Sequence, residues 1–185
     1  EVLHVGDRVD GKGSFIVMEY LDLGGSRDQR RLGEAIASLH EQESEKFGFE
    51  VDNTIGETPQ RNPWCDDWVD FYREHRLGYQ VDLADESYLT HLFESVAPRL
   101  GELFEGLTVR PSMLHGDFWT GNIGVVRGKP AIYDPAAYYG HHEAEWGMSW
   151  CASLTQDFWE GYRRRIPEQP GFEARKPLYQ AYHQI

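Results

Sequence analysis

The sequence predicts an α+β fold in a single domain, in which short β-hairpins and amphipathic helices occur in separate segments. Apolar runs flank a turn at Asp10-Gly11-Lys12-Gly13, and two more flank Arg127-Gly128-Lys129, as in β-hairpins. Elsewhere, apolar residues recur at the three- and four-residue spacing of a helix. The 185 residues are the length of one domain and are enough to bury a substantial core.

The composition indicates a folded protein and disfavours two classes of partner. Apolar residues make up 40% of the chain and aromatic residues 14%, which argues against disorder. A formal net charge of −13 disfavours nucleic acid and anionic membranes as partners. No run approaches the ~20 apolar residues of a membrane span, and Cys65 and Cys151 show neither a disulfide framework nor zinc-ligand spacing. We therefore expect a soluble intracellular protein, in the cytoplasm or in an organelle.

The first 40 residues predict a hairpin and a helix. The strands are Glu1–Val9 and Ser14–Leu21, and the second is nearly all apolar, so we expect it to be buried. Ser26-Arg27-Asp28-Gln29 has the capping-box pattern that begins a helix. We interpret His40 as a helix-end residue packed on the core. Helical spacing links Leu32, Ala35, Ile36, Leu39 and His40.

The middle of the chain predicts a loop and two helices. Phe47–Gln60 has turn residues and no period, which predicts a loop. Asn62-Pro63 predicts the start of a helix, and Pro98 predicts a break in a second helical segment, Asp85–Phe104. Aromatic residues follow one side of the first helix and indicate core packing or, alternatively, a platform for carbohydrate. They are Trp64, Trp68, and Phe71 or Tyr72, with His75 or Arg76 beyond.

A last helical pattern begins at about Glu143 and ends before Pro167. Just before and within it stand His141, His142, Glu143 and Glu145. Neighbouring side chains on a helix point in different directions, and the H-E-x-x-H spacing is missing, so we exclude a zinc site.

The strongest functional pattern is Leu114-His115-Gly116-Asp117-Phe118-Trp119-Thr120-Gly121-Asn122, called the motif loop below, with Asp134 beyond it. The two apolar runs after Asn122 predict a hairpin whose ends lie side by side, so Asn122 and Asp134 should be close together. His115, Asp117, Asn122 and Asp134 have the order H-x-D-x-x-x-x-N followed by a metal-binding Asp. That order is typical of phosphoryl transfer.

Phosphoryl transfer needs a base and hard metal ligands. Asp117 is the predicted base, which accepts the proton of the attacking hydroxyl. Asn122 and Asp134 are the predicted ligands of a Mg²⁺ ion held against the phosphates of ATP. His115 has no neighbouring nucleophile to activate, so we expect it to brace the loop through hydrogen bonds.

The motif loop, Tyr133-Asp134-Pro135-Ala136, Tyr139-Gly140-His141 and Thr58-Pro59-Gln60 together resemble the fructosamine-3-kinase (protein-ribulosamine 3-kinase) family. These enzymes are relatives of the aminoglycoside phosphotransferases and have a protein-kinase-like fold. The resemblance implies ATP-dependent phosphorylation of the 3-hydroxyl of ketoamine sugars, ribulosamine or fructosamine, on protein amines. The implied partners are a glycated protein or a small ketoamine. Trp119 stands next to the predicted base, and we expect it either to stack on the sugar or to pack within the loop.

The kinase-like fold implies a division of the chain. Residues 1–23 correspond to the last hairpin of the N-terminal lobe and the hinge, and residues 24–185 to the helical catalytic lobe, including the motif-loop hairpin and truncated at its end. Adenine is then expected at the backbone of Glu19 and Leu21, with Met18 beside the ring. A Gly-rich phosphate loop, a strand lysine and its partner glutamate are missing from the sequence. We therefore expect a fragment that lacks most of the N-terminal lobe and is inactive alone.

Two alternatives remain open. One is a phosphotransferase for another small hydroxylated amine, of the aminoglycoside or choline type. The other is a non-catalytic binding remnant with a kinase-like fold.

Overall fold

The computed structural model describes residues 1–185 and confirms the α+β prediction. The strands are β1 Val2–Asp7, β2 Ser14–Met18, β3 Asn53–Ile55, β4 Thr58–Gln60, β5 Ser112–Leu114, β6 Ile123–Val126, β7 Lys129–Ile132 and β8 Tyr138–Gly140. The α-helices are α1 Gln29–His40, α2 Trp68–Tyr72, α3 Tyr79–Ala84, α4 Ser87–Val96, α5 Gln156–Arg163 and α6 Phe172–Tyr182. A π-helical segment, Arg73–Gly78, joins α2 to α3, and 3-10 helices cover Ala97–Phe104, Thr120–Asn122 and His142–Met148.

The strands form four separate two-stranded antiparallel sheets: β1–β2, β3–β4, β5–β8 and β6–β7. The β5–β8 pair joins segments that are distant in sequence. The motif loop and the β6–β7 hairpin lie between these two strands along the chain. None of the helices combines the length and the apolarity that a membrane crossing requires.

The β1–β2 hairpin forms where the sequence predicts it, but the prediction that its second strand is buried is wrong. Phe15 and Val17 are each 44% exposed and Ile16 is 51% exposed. A sheet face becomes buried only when a second layer covers it, and here both faces of the hairpin stay open to solvent along nearly its whole length.

Helix α1 begins two residues later than the capping-box pattern predicts. Its N-cap is Asp28, whose side chain accepts a hydrogen bond from the backbone N–H of Arg31 at 3.1 Å. The buried face of the helix packs against α5. The backbones approach closely there, since a Cβ on Gly33 would lie 2.1 Å from the carbonyl oxygen of Phe158.

The region predicted as a loop contains a hairpin, β3–β4, with Asn53 opposite Gln60. The predicted helix start at Asn62-Pro63 is also wrong, because the helix begins at Trp68 with Asp67 as its N-cap. The Asn62 side chain is instead buried and bound by the guanidinium of Arg76. Its polar groups are used in tertiary hydrogen bonds rather than in a helix cap.

Trp68 belongs to the larger of two apolar cores and is only 2% exposed. Its indole N–H donates to the Tyr179 hydroxyl at 3.2 Å. Trp68 therefore cannot serve as a carbohydrate platform. For this residue, core packing is the correct interpretation and the carbohydrate platform is wrong. Trp64 lies before the helix, is 43% exposed and packs near Tyr139.

The break at Pro98 is confirmed, because α4 ends at Val96 and the chain continues as a 3-10 helix. The helix predicted from Glu143 is in fact two elements, the 3-10 helix His142–Met148 and α5. Between them, Ser153 adopts a positive φ of 53°, a backbone conformation that a continuous helix cannot include.

Candidate active site

The motif loop leaves β5 and passes close to the segment that enters β8. A Cβ on Gly116 would lie 2.1 Å from the carbonyl oxygen of Ala136, and Gly116 has φ +80°. Both facts require glycine at this position. The Ala136 N–H donates to the His115 carbonyl at 2.9 Å, so the two segments are fastened together.

Asn122 brings the three polar residues of the motif together, as the hairpin pattern predicts. Its side-chain amide donates to the Asp117 carboxylate at 2.8 Å and to the Asp117 carbonyl at 3.0 Å. The same amide lies 3.3 Å from the Asp134 carbonyl oxygen. The β6–β7 hairpin makes this possible, with a tight turn at Arg127 and Gly128, both at positive φ.

The Asp117 carboxyl is partly withdrawn from water. Burial raises the pKa of Asp117 above the usual aspartate range, while the hydrogen bond from Asn122 and the nearby His115 act to lower it. The negative charge of the nearby Asp134 carboxylate also raises the pKa of Asp117. A carboxylate with a raised pKa is a better proton acceptor than an ordinary surface aspartate.

The remaining oxygens of the site suit a hard cation. The side-chain N–H groups of Asn122 donate to Asp117 and Asp134. Its side-chain oxygen accepts no hydrogen bond from the protein. The Asp134 side chain accepts no hydrogen bond from the protein and lies in a residue with φ +57°. An open amide oxygen and an open carboxylate are ligands that a magnesium ion prefers.

His115 is 2% exposed and is held at both ring nitrogens. Its Nε2 lies 3.0 Å from the Tyr133 carbonyl oxygen, and its Nδ1 lies 3.3 Å from the backbone N–H of Asp117. In this arrangement Nε2 faces a backbone carbonyl and Nδ1 faces a backbone N–H, so both ring nitrogens are tied to the main chain. The imidazole thus joins the motif loop to the residue before Asp134.

Trp119 is the exposed aromatic side chain of the motif loop. It is 40% exposed, and its ring packs over Gly121, where an added Cβ would lie 2.3 Å from the ring. The backbone N–H of Trp119 donates to the Asp117 carbonyl at 3.2 Å. The indole is therefore next to the predicted base and open to a ligand.

The three predicted adenine-contacting residues are not equivalent. Glu19 and Leu21 line a cavity of about 600 Å³ together with Gly24, Val126 and other residues of this region. The Gly24 N–H donates to the Val125 carbonyl at 2.9 Å, which ties the segment to the β6–β7 hairpin. Met18 is 60% exposed and does not line this cavity.

Sequence reasoning missed Glu145, whose buried carboxylate clamps the motif loop. It accepts the backbone N–H groups of His115 at 2.7 Å and Gly116 at 2.9 Å, and lies 3.2 Å from Nε2 of His40. Burial raises the pKa of Glu145, but the hydrogen bonds and the two histidines outweigh it and hold that pKa below the usual glutamate range. In the sequence, Glu145 is merely one acid in a cluster beside two histidines.

Arg27 is a second residue that the motif did not reveal. Its guanidinium donates to the carbonyl oxygens of Thr120 at 3.0 Å and Ile123 at 2.7 Å, on either side of Asn122. In the sequence it stands inside a capping-box pattern 93 positions before Thr120, so no local signal could connect the two.

Replacing Glu145 by Gln should lower the free energy of unfolding by about 1–3 kcal/mol, because the new amide N–H₂ faces a backbone N–H that loses its acceptor. Since the folded-state pKa of Glu145 is depressed, its contribution is present above the unfolded pKa and is lost as the pH falls through the folded value. Denaturant unfolding at neutral and acidic pH measures both effects. Glu173→Gln, at an exposed site, is the control. Equal stability of the two variants at neutral pH would contradict the role of Glu145 in holding the motif loop.

The side chains of His141, His142 and Glu143 do not point in different directions, as we expected in excluding zinc, because their ligand atoms lie within 4.8 Å of one another. Two of the three residues already have partners for these atoms. Glu143 forms two hydrogen bonds with Arg175, at 2.6 and 2.7 Å, and both ring nitrogens of His141 are hydrogen-bonded. Burial also lowers the pKa of His141 to about 3. The cluster serves the packing of α6.

Comparisons with known proteins show what the chain is similar to. A family model described as fructosamine kinase matches residues 1–185. The chain is 45% identical over 190 residues to the chloroplastic protein-ribulosamine 3-kinase of Arabidopsis thaliana, covering 98% of this chain and 58% of that protein. The match to a rice protein of the same name covers 53% of that protein. The chain thus spans about half the length of the curated relatives it matches.

Solved structures confirm the kinase-like fold. A structure from Haemophilus somnus 129PT, assigned as a fructosamine-3-kinase, superposes with a TM-score of 0.85 at 27% identity, covering 98% of this chain and 63% of that one. A thermostable mutant of an aminoglycoside phosphotransferase superposes with a TM-score of 0.56 at 19% identity, covering 100% of this chain and 70% of that one. The second likeness shows the fold alone.

Proposed function

Because the chain belongs to the fructosamine kinase family, we propose that the protein containing it is an ATP-dependent kinase that phosphorylates the 3-hydroxyl of ketoamine sugars on protein amines. The observation that carries the proposal is the contact of one amide, that of Asn122, with both Asp117 and Asp134. The amide reaches the carboxylate of Asp117 and the backbone carbonyl of Asp134, which supports a base beside two candidate metal ligands, the combination that phosphoryl transfer requires.

Asp117 is the proposed general base. Its carboxylate accepts the proton of the sugar hydroxyl as that oxygen attacks the γ-phosphoryl group of ATP. The Asn122 amide holds one carboxylate oxygen at 2.8 Å and so fixes the direction of the carboxylate. His115, Glu145 and the Ala136 N–H hold the backbone of the loop, which keeps the base in position as the substrate binds.

Asn122 and Asp134 are the proposed ligands of Mg²⁺, through the amide oxygen of the first and the carboxylate of the second. When bound, the ion supplies positive charge that neutralises the phosphate oxygens. The protein contributes rigidity, since the β6–β7 hairpin fixes the spacing between the two residues.

Residues 1–23 form the proposed hinge side of the nucleotide site, and residues 24–185 the catalytic lobe. The backbone of Glu19 and Leu21 would bind adenine in the cavity that they line. The predicted position of Met18 beside the ring has no support in that cavity wall. Trp119 is the proposed stacking surface for the sugar, since its exposed indole stands beside Asp117.

The proposed substrates are ribulosamine or fructosamine adducts of lysine, either on a glycated protein or as small molecules. Such an adduct carries a secondary amine that is largely cationic near neutral pH, and a net charge of −13 favours its approach. A site that contacts mainly the sugar accepts both forms, because the protein beyond the lysine stays outside.

The experiment that tests this function compares kcat/KM for four compounds with the complete protein and ATP: ribulosyl-lysine, fructosyl-lysine, a free hexose and an aminoglycoside. We expect turnover of the lysine adducts and almost none of the other two. A preference for the aminoglycoside over both ketoamines would contradict the proposed substrate but not the kinase chemistry.

A further inference from the structure

We propose that the tip of the β3–β4 hairpin, Thr54–Gly56, is the wall of the site that selects the sugar substrate. The proposal rests on the proposed function and adds to it a specificity element on a segment where the sequence predicts only a loop.

A cavity of about 140 Å³ connects this tip to the chemistry. Its lining comes from the motif loop, from the segment after β7 and from the hairpin tip, and consists of Thr54, Ile55, Gly56, Asp117, Asp134, Pro135 and Ala136. A molecule that reaches Asp117 through this cavity must pass against the hairpin. The cavity is well below the roughly 300–1,000 Å³ of pockets for drug-sized ligands, and its size suits part of one sugar.

The hairpin is fastened to the segment that follows Asp134. The Asn53 side-chain amide donates to the Ala137 carbonyl at 2.8 Å, and the Gln60 amide donates to the Ala136 carbonyl at 3.0 Å. Asn53 and Gln60 face each other across the hairpin, and the Gln60 amide also donates to the Asn53 side-chain oxygen at 2.9 Å. The hairpin and the segment that follows Asp134 are therefore held together.

A buried cation supports these amides from behind. Arg76 is fully buried, donates to the Asn62 side-chain oxygen at 2.6 Å and stacks over the Tyr138 ring at 4.0 Å. Asn62 in turn donates to the Asn53 side-chain oxygen at 3.0 Å. Burying a guanidinium that has no carboxylate partner is costly, and here the hydrogen bonds it makes fix the position of a short surface hairpin.

The chemistry of the tip suits a sugar. Thr54 is exposed and offers a hydroxyl and a methyl group, which match the alternating hydroxyl and C–H groups of a sugar. Gly56 has φ +56° and no heavy atom within 4 Å of an added Cβ, so the space beside it is open.

The test is Thr54→Trp in the complete protein, with Thr90→Trp on the exposed face of α4 as the matched control. We expect the KM for ribulosyl-lysine to rise at least tenfold in the first variant and to stay within twofold in the control. The KM for ATP should stay within twofold in both. Gly56→Val and Gly106→Val form a second pair, because both glycines have positive φ and open surroundings and only Gly56 lines the cavity.

An unchanged KM for the ketoamine in Thr54→Trp and Gly56→Val would contradict the proposal that the hairpin tip contacts the sugar. A rise in the KM for ATP as large as the rise for the ketoamine would also contradict it. Wild-type turnover of ribulosyl-lysine in the same assay separates this failure from that of the proposed function. If the wild type turns over no ketoamine, the proposed function fails and the wall fails with it.

Discussion

Replacing Asp117 by Asn should lower kcat by about 10²–10⁴, the range for loss of a general base, while nucleotide affinity stays nearly unchanged. The substitution keeps the shape of the side chain and removes its ability to accept a proton. Because the new side-chain oxygen can still accept the Asn122 amide, which donates to Asp117 at 2.8 Å in the wild type, the motif loop should keep its conformation.

Steady-state kinetics with ribulosyl-lysine and direct nucleotide-binding measurements test this expectation together. Asp82→Asn, at an exposed position in α3, is the matched control and should behave as the wild type. A kcat for Asp117→Asn within a factor of two of the wild-type value would remove Asp117 from the role of base.

Replacing Asp134 by Asn should raise the Mg²⁺ concentration needed for nucleotide binding by at least about tenfold, the equivalent of about 1.4 kcal/mol. The reason is the loss of a charged oxygen ligand for a hard cation. Asp134 has φ +57°, a conformation in which Asn and Asp are both enriched. The exchange therefore changes the charge and leaves the backbone without new strain.

Nucleotide affinity measured across a range of Mg²⁺ concentrations gives the result. The Asp117→Asn variant serves as a comparison, since it also loses a carboxylate from the site but not a proposed ligand. An Mg²⁺ dependence that is the same in Asp134→Asn and in the wild type would show that Asp134 does not bind the metal.

The local part of the site was predictable from the sequence. Asn122 and Asp134 flank a hairpin closed by a short glycine turn, and such a turn alone brings its ends together. Asp117 is five residues from Asn122, within reach of one side-chain hydrogen bond. These contacts depend on neighbours in the chain and so leave a pattern in it.

The predictions that were wrong or missing concern residues whose partners are distant in the sequence. Asn62 has the sequence signature of a helix cap, yet the buried Arg76 binds it. Glu145 has no local signature, because its partners are backbone N–H groups 29 and 30 positions away. The apolar β2 strand looked buried because composition does not state whether a second layer covers a sheet.

The most direct test of the whole account is the position of the phosphate in the product formed from ATP and ribulosyl-lysine by the complete protein, determined by phosphorus NMR. We predict phosphate on the 3-hydroxyl of the sugar, formed by the wild type and at least about 100-fold more slowly by Asp117→Asn. Phosphate on another hydroxyl, or its release only as inorganic phosphate, would contradict it.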